Sequence, residues 1–236
     1  MHEPISTSPR SIPCRSLFHI LFWLVCLIYL ETLLHIVIFR TFTGRFLYIL
    51  GFSTVIACVL SAATALLSRR TNANVTTAIL CFLCALYLSQ MIYYYIFGGM
   101  YSLSMVALGG NAITNFWKEM FATIREHLPI LLLTLAPIPV LCLLRKFAGE
   151  LFEQNRNASR LWVLTVAVAL HIIILLSLRL GGTGFYTAYS YYHGNDATTE
   201  QTTENFGLLT TFRLEFQHMF QNNDRTGYLT ADEDEQ

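Results

Sequence analysis

The apolar positions of this chain fall into long unbroken runs rather than into alternating or single-stripe patterns. Five such runs cover about residues 17–39, 46–67, 75–97, 126–144 and 161–178. A helix needs roughly 20 apolar residues to cross a hydrocarbon core of about 30 Å, so the pattern predicts an all-α, polytopic membrane protein with five transmembrane helices. The fourth run is the weakest. Its core, PILLLTLAPIPVLCLL, carries Pro129, Pro137 and Pro139, and a kink is expected where proline removes a backbone donor.

Two further segments have helical stripes instead of runs. In NAITNFWKEMFATIREHL, residues Ile113, Phe116, Trp117, Met120, Phe121, Ile124 and Leu128 recur at three- and four-residue spacing, with Lys118, Glu119, Arg125 and Glu126 on the other side. This predicts an amphipathic helix over 112–128 lying in the outer membrane interface, with an aqueous helix packed on a partner domain as the alternative. In NFGLLTTFRLEFQHMF, one face gathers Leu208, Leu209, Phe212, Phe216, Met219 and Phe220, predicting a second surface helix over about 206–220. Between the last run and this helix, GGTGFYTAYSYYHGNDATTEQTTE reads as an irregular exit from the membrane. The final QNNDRTGYLTADEDEQ is too polar to fold alone. The chain thus divides into an amino-terminal segment 1–16, a membrane domain 17–180 and a linker 181–236.

Charge orients this arrangement. The formal net charge of +0 conceals 13 Lys+Arg against 6 Asp+Glu in residues 1–180, and 2 against 9 in residues 181–236. With the amino terminus cytoplasmic, the inner segments hold eight basic residues, Arg10, Arg15, Arg69, Arg70, Arg145, Lys146, Arg156 and Arg160. The outer side holds five, Arg40, Arg45, Lys118, Arg125 and Arg179. The positive-inside rule therefore puts the amino terminus in the cytoplasm and the acidic carboxyl end outside. The first apolar run is too long for a signal-peptide h-region, so it is expected to remain as an anchor. Of the six cysteines (Cys14, Cys26, Cys58, Cys81, Cys84 and Cys142), five lie inside apolar runs. They read as packing residues; Cys81-x-x-Cys84 lacks the second pair that a zinc site would need.

Candidate chemistry is sparse. Glu31 and His35, four residues apart, share a face near the outer end of the first helix. They could relay protons or hold a cation, or make an interhelical hydrogen bond with Arg40 in reach. No other span carries a carboxylate within its apolar core, which disfavours a proton-coupled transporter, and His171 reads as a packing histidine. Gln90, Tyr93 and Tyr94, at the end of the third span, could form an interfacial tyrosine belt or meet a lipid phosphate. Lys118, Arg125 and Arg213 are candidates for contact with anionic headgroups. There is no P-loop, GxSxG, HExxH, paired-carboxylate cluster or basic stripe for nucleic acid.

Three strings carry a more specific signal: IYLETLLHIVIFR, LYLSQMIYYYIFGGMYSLSMVALGGNAITNFWKEM and YTAYSYYH…NFGLLTTFRLE. In this order the chain resembles the amino-terminal membrane region of the lipoteichoic-acid synthase family, the sulfatase-like phosphoglycerol transferases of Gram-positive bacteria. The most specific pieces are Gln90 to Gly98 with Tyr101 and Ser102, and Gly207, Leu208, Leu209, Thr210, Arg213 and Leu214 followed by Glu215, where the family has aspartate. The resemblance implies a five-helix bundle in the bacterial cytoplasmic membrane, joined by a linker helix to an extracytoplasmic catalytic domain. There a threonine nucleophile and a divalent metal, commonly manganese, would transfer glycerol phosphate from phosphatidylglycerol. The sequence stops at Gln236, where that domain would begin, so no catalytic or metal residue is expected within it and neither Thr226 nor Thr230 is given the role. The expected partners are membrane lipids, phosphatidylglycerol among them, and a separate or downstream catalytic domain. The alternatives are a stand-alone transporter or channel, and a non-catalytic regulator of a homologous synthase.

Overall fold

Where water is excluded, a run of apolar residues can satisfy its own backbone polar groups by coiling into a helix. The computed structural model describes residues 12–108, 116–148, 159–194 and 197–233, and every regular element among them is helical. In chain order these are α1 (Ile12–Ile38), α2 (Phe46–Thr64), α3 (Arg69–Phe97), α4 (Leu103–Leu108), α5 (Trp117–Glu126) and α6 (Leu128–Thr134). Then follow α7 (Pro137–Ala148), α8 (Ser159–Leu180), α9 (Ala188–His193), α10 (Thr199–Phe206) and α11 (Leu208–Glu233). The expected segments 1–11, 112–115 and 234–236, and Arg156, lie outside the described residues.

Four helices are long and apolar enough to cross a membrane: Leu17–Ile38, Phe46–Thr64, Arg70–Phe97 and Leu161–Leu180. A fifth crossing exists if Leu128–Thr134 and Pro137–Phe147 count as one span, bent by 41°. The bend falls where the prolines predict it. Pro137 opens α7 without an N–H to continue the ladder from α6.

Helix α1 is the centre of the bundle. It lies between α2 and α3, while α8 packs on α2, and α6 and α7 pack on α3. Half of its apolar window is buried, 50% against 17% for that of α8. The seam between α1 and α3 explains why. Trp23, Leu27, Leu30 and Leu34 on one helix, and Leu80, Cys84, Tyr87 and Met91 on the other, are all buried. Both sets repeat at offsets of three and four, the spacing that lets knobs enter holes along a shallow crossing. On the other side α2 and α8 approach closely at Gly51, where a Cβ would stand 2.9 Å from Ile174 Cδ1.

Several sequence expectations need correction. The stretch 181–204 is not an irregular exit; it contains α9 and most of α10. Thr187 caps α9, and Thr198 with Gln201 forms a capping box at the start of α10, which satisfies helix-terminal donors that apolar content says nothing about. The helix expected at 206–220 begins at Leu208 and runs to Glu233, because extending an existing helix avoids the cost of a new nucleus. Its first turns are not a surface helix either. Leu208, Thr210, Thr211, Phe212 and Leu214 are buried against the bundle, whereas Phe216, Met219 and Phe220 are exposed. Of the described part of the stretch 112–128, helix α5 covers Trp117–Glu126 and α6 starts at Leu128. Finally, Cys81 and Cys142 are exposed, while Cys26, Cys58 and Cys84 are buried as packing residues.

Candidate functional site at the exit of the bundle

The site grows from the carboxyl-terminal half of α1, where a carboxylate faces inward among apolar side chains. Glu31 is buried, and its Oε1 accepts two hydrogen bonds, from the Tyr87 hydroxyl at 2.6 Å and from the Leu208 backbone N–H at 2.8 Å. The second donor is the first residue of α11, one of the N–H groups that a helix start leaves without a partner. A carboxylate there also meets the positive end of the helix dipole. Glu31 thus ties α1, α3 and α11 together at one oxygen.

Gly207 makes this approach possible. It joins α10 to α11 with φ +83° and ψ 162°, a backbone region open almost only to glycine. A Cβ there would lie 2.5 Å from Glu31 Oε1 and 2.8 Å from Cδ. The threonines on either side close the joint. Thr211 donates to the Gly207 carbonyl at 2.9 Å, and Thr203 donates to Thr211 at 3.2 Å.

His35 shares the helix face of Glu31 but turns to main-chain carbonyls, with Nδ1 2.9 Å from the Glu31 carbonyl and Nε2 3.4 Å from that of Glu204. Its ring lies among Phe39, Phe42 and Phe46. The interhelical hydrogen bond expected of Glu31 therefore exists, with partners other than Arg40. Arg40 is exposed and ends α1 in a left-handed conformation, φ 57°, donating its N–H to the His35 carbonyl.

A second set of contacts holds the turn that follows α3. Gln90 is fully buried; its amide donates to the Tyr101 carbonyl at 2.8 Å and accepts from the Tyr101 N–H at 3.2 Å. Both ends of this amide are thereby used internally, on the turn after α3. The Tyr101 hydroxyl lies 2.8 Å from Ser89 Oγ, and its ring stacks on Phe212 of α11 with centroids 6.0 Å apart. Burial raises the Tyr101 phenol above its ordinary pKa; the Ser89 hydrogen bond opposes this and the nearby Glu215 charge adds to it. Two carboxylates from the linker complete the clamp. Glu215 accepts from the Leu103 N–H at 2.6 Å and the Thr199 hydroxyl at 2.6 Å, and Glu200 accepts from the Met100 N–H at 3.0 Å. A groove of ≈ 560 Å³ opens beside them, lined by Ser102, Ser104, Thr199, Glu215 and His218 among others.

The remaining candidates lie apart. Tyr93 packs edge-on against Tyr101, with centroids 5.4 Å apart, and the Tyr94 hydroxyl donates to the Ile38 carbonyl at the end of α1 at 3.4 Å. The Arg213 guanidinium donates to the Tyr192 hydroxyl and sits over the rings of Tyr192 and Phe52, 5.4 and 5.9 Å from their centroids. Lys118 and Arg125 are exposed on α5. Among the described residues no three His, Cys, Asp or Glu side chains gather as metal ligands. Sequence reasoning gave Tyr87 no role because its hydroxyl works inside the bundle; the signal was a lone phenol within an apolar run.

Comparisons with protein-family models, curated proteins and solved structures give no match to this chain.

Proposed function

We propose that this chain is the membrane-anchoring part of a lipoteichoic-acid-synthase-like phosphoglycerol transferase. It holds an extracytoplasmic, sulfatase-type catalytic domain at a set height and orientation above the bacterial cytoplasmic membrane. In this reading α6 and α7 form one bent span, making five, with the amino terminus cytoplasmic. The gathering of basic residues supports that orientation. Arg145, near the end of α7, donates to Thr77 Oγ1 at 2.5 Å and to the Ala73 carbonyl, so it stands at the same end of the bundle as Arg69 and Arg70.

The observation that carries the reading is the joint at Glu31. A membrane anchor that only tethers needs a flexible exit. Here the outgoing helix is fixed at its first residue by a buried carboxylate, sealed by a glycine and braced by Tyr101, Phe212 and Glu215. That construction transmits the position of the bundle to whatever follows α11. The lipid substrate would be phosphatidylglycerol, and this chain alone would be inert.

The test is purification of the chain from its native membranes with an antibody against the linker, followed by a manganese-dependent assay for diacylglycerol release from phosphatidylglycerol. The expected result is activity in a polypeptide or complex containing a threonine-nucleophile domain, and none in residues 1–236 alone. A chain that purifies without such a domain and supports solute flux in liposomes would replace this reading with a transporter.

A further inference from the structure

Helix α5 is the described helix whose side chains are least absorbed by the rest of the molecule. None of its residues is buried, yet its sequence is strongly sided. At about 100° per residue, Trp117 and Phe121 fall on one flank with Met120 and Ile124 beside them. Ile124 and Met120 are half-buried, and Ile124 packs on the main core. Trp117 and Phe121 remain 50% and 61% exposed. Further round the helix, Lys118 and Arg125 lie about 20° from each other, immediately next to that exposed aromatic strip. Glu119 and Glu126 also lie about 20° apart, but roughly 100° beyond the cations. The circuit around the helix therefore runs packed edge, exposed aromatics, cations, carboxylates.

That order suits one kind of surface. The aromatic strip seeks an apolar medium, the cations stand at its rim, and the carboxylates are turned away. Lys118 Nζ lies 5.6 Å from the Trp117 ring centroid, which holds the ammonium at the level of the indole. The helix is also placed at the end of a span. Phe116, just before it, packs on Phe97 at the end of α3 with centroids 5.1 Å apart, and His127, just after it, stacks on Tyr95 at 3.7 Å. Tryptophan and long cationic side chains at such a level reach the headgroups.

We infer that α5 is a lipid-binding element that seats Trp117 and Phe121 in the outer leaflet and holds the phosphate of an anionic headgroup between Lys118 and Arg125. Arg213, also expected to meet lipid phosphate, is not part of this site, because its guanidinium is held by Tyr192 and Phe52. The inference rests on the chain crossing a membrane, but it needs no catalytic domain.

Trp117 supplies the probe. The whole chain carrying Trp162→Phe retains Trp117 and the fully buried Trp23 as its tryptophans. It would be reconstituted in phosphatidylcholine bilayers containing a minor fraction of lipid brominated on its upper acyl carbons, either phosphatidylglycerol or phosphatidylcholine. Brominated phosphatidylglycerol is expected to quench at a several-fold lower mole fraction, since each cation near an anionic surface favours it about 5-fold. Lys118→Gln with Arg125→Gln should abolish the difference while leaving quenching by both lipids intact. Glu119→Gln with Glu126→Gln should preserve it. Equal quenching of the parent protein by the two lipids would overturn headgroup selection, and absence of quenching by either would overturn placement of α5 in the leaflet. Neither readout depends on transfer activity, so failure of the anchoring proposal is seen separately.

Discussion

Replacing Gly207 with alanine tests the joint at its tightest point. The first cost is conformational, because φ +83° with ψ 162° is strained for any residue with a Cβ, by about 1–3 kcal/mol. The second is steric. The new methyl would stand 2.5 Å from Glu31 Oε1, so the carboxylate must move away from Leu208 N–H or Tyr87 Oη. Losing one hydrogen bond to a charged group costs about 1.5–3 kcal/mol, giving roughly 2.5–6 kcal/mol in all. Gly98→Ala provides the control. That glycine also has positive φ, +71°, but a Cβ there meets nothing within 4 Å, leaving only the left-handed penalty of about 1–2 kcal/mol. Reversible unfolding in mixed micelles at increasing dodecyl sulfate, followed by circular dichroism, would measure both. In a Glu31→Ala background the steric part disappears, and Gly207→Ala should then cost only about 1–3 kcal/mol. Equal costs for the two glycine variants, or no change of the Gly207 cost in that background, would refute the account of the joint.

Further outcomes follow from other contacts. Tyr87→Phe keeps the ring in the α1–α3 seam but removes one of the two donors to Glu31 Oε1, so the same unfolding assay should show a loss of about 1–3 kcal/mol. For Tyr101, a phenol raised above its ordinary value of 10.0 means that the folded state binds the proton more tightly than the unfolded state. Its contribution is complete below pH 10 and declines as pH rises through the folded-state value; Tyr101→Phe should flatten that part of the stability profile. Cysteine labelling should divide the thiols by exposure. A bilayer-soluble maleimide is expected to label Cys81 and Cys142 and spare Cys26, Cys58 and Cys84, whereas labelling of Cys84 would show that the α1–α3 seam opens.

The long helices were legible because the length of an apolar run is a local property, and so was the bend marked by Pro137. The seam between α1 and α3 was not legible, because its buried positions at three- and four-residue spacing are embedded in runs that are apolar all round. Nor was the partner of Glu31 legible. It is a backbone N–H 177 residues away, and a helix start offers donors whatever its side chains are. The linker was misread for a related reason. Its threonines look like loop composition, but Thr202, Thr203, Thr210 and Thr211 are buried, and the hydroxyls of Thr202, Thr203 and Thr211 are spent on carbonyls one turn back or on each other. The Thr198–Gln201 pair was the readable sign that a helix begins there. Lys118 and Arg125 were found by periodicity alone, since helix sidedness is carried within ten residues.

The 177 residues between Glu31 and Leu208 also set an order of events in biosynthesis. At 5–20 residues per second, a ribosome needs on the order of 10–35 s to make the intervening chain. Through that interval α1 already holds its carboxyl group, while the helix start that will receive it has yet to be made. Tyr87 arrives first and can shelter Glu31 as soon as α3 packs. The last bond forms only after the intervening spans are in place and the linker has turned back over them. A chain that stalls, or inserts with one span missing, leaves Glu31 Oε1 without the Leu208 donor. The bond from Leu208 to Glu31 therefore also marks the chains whose linker has docked onto the bundle.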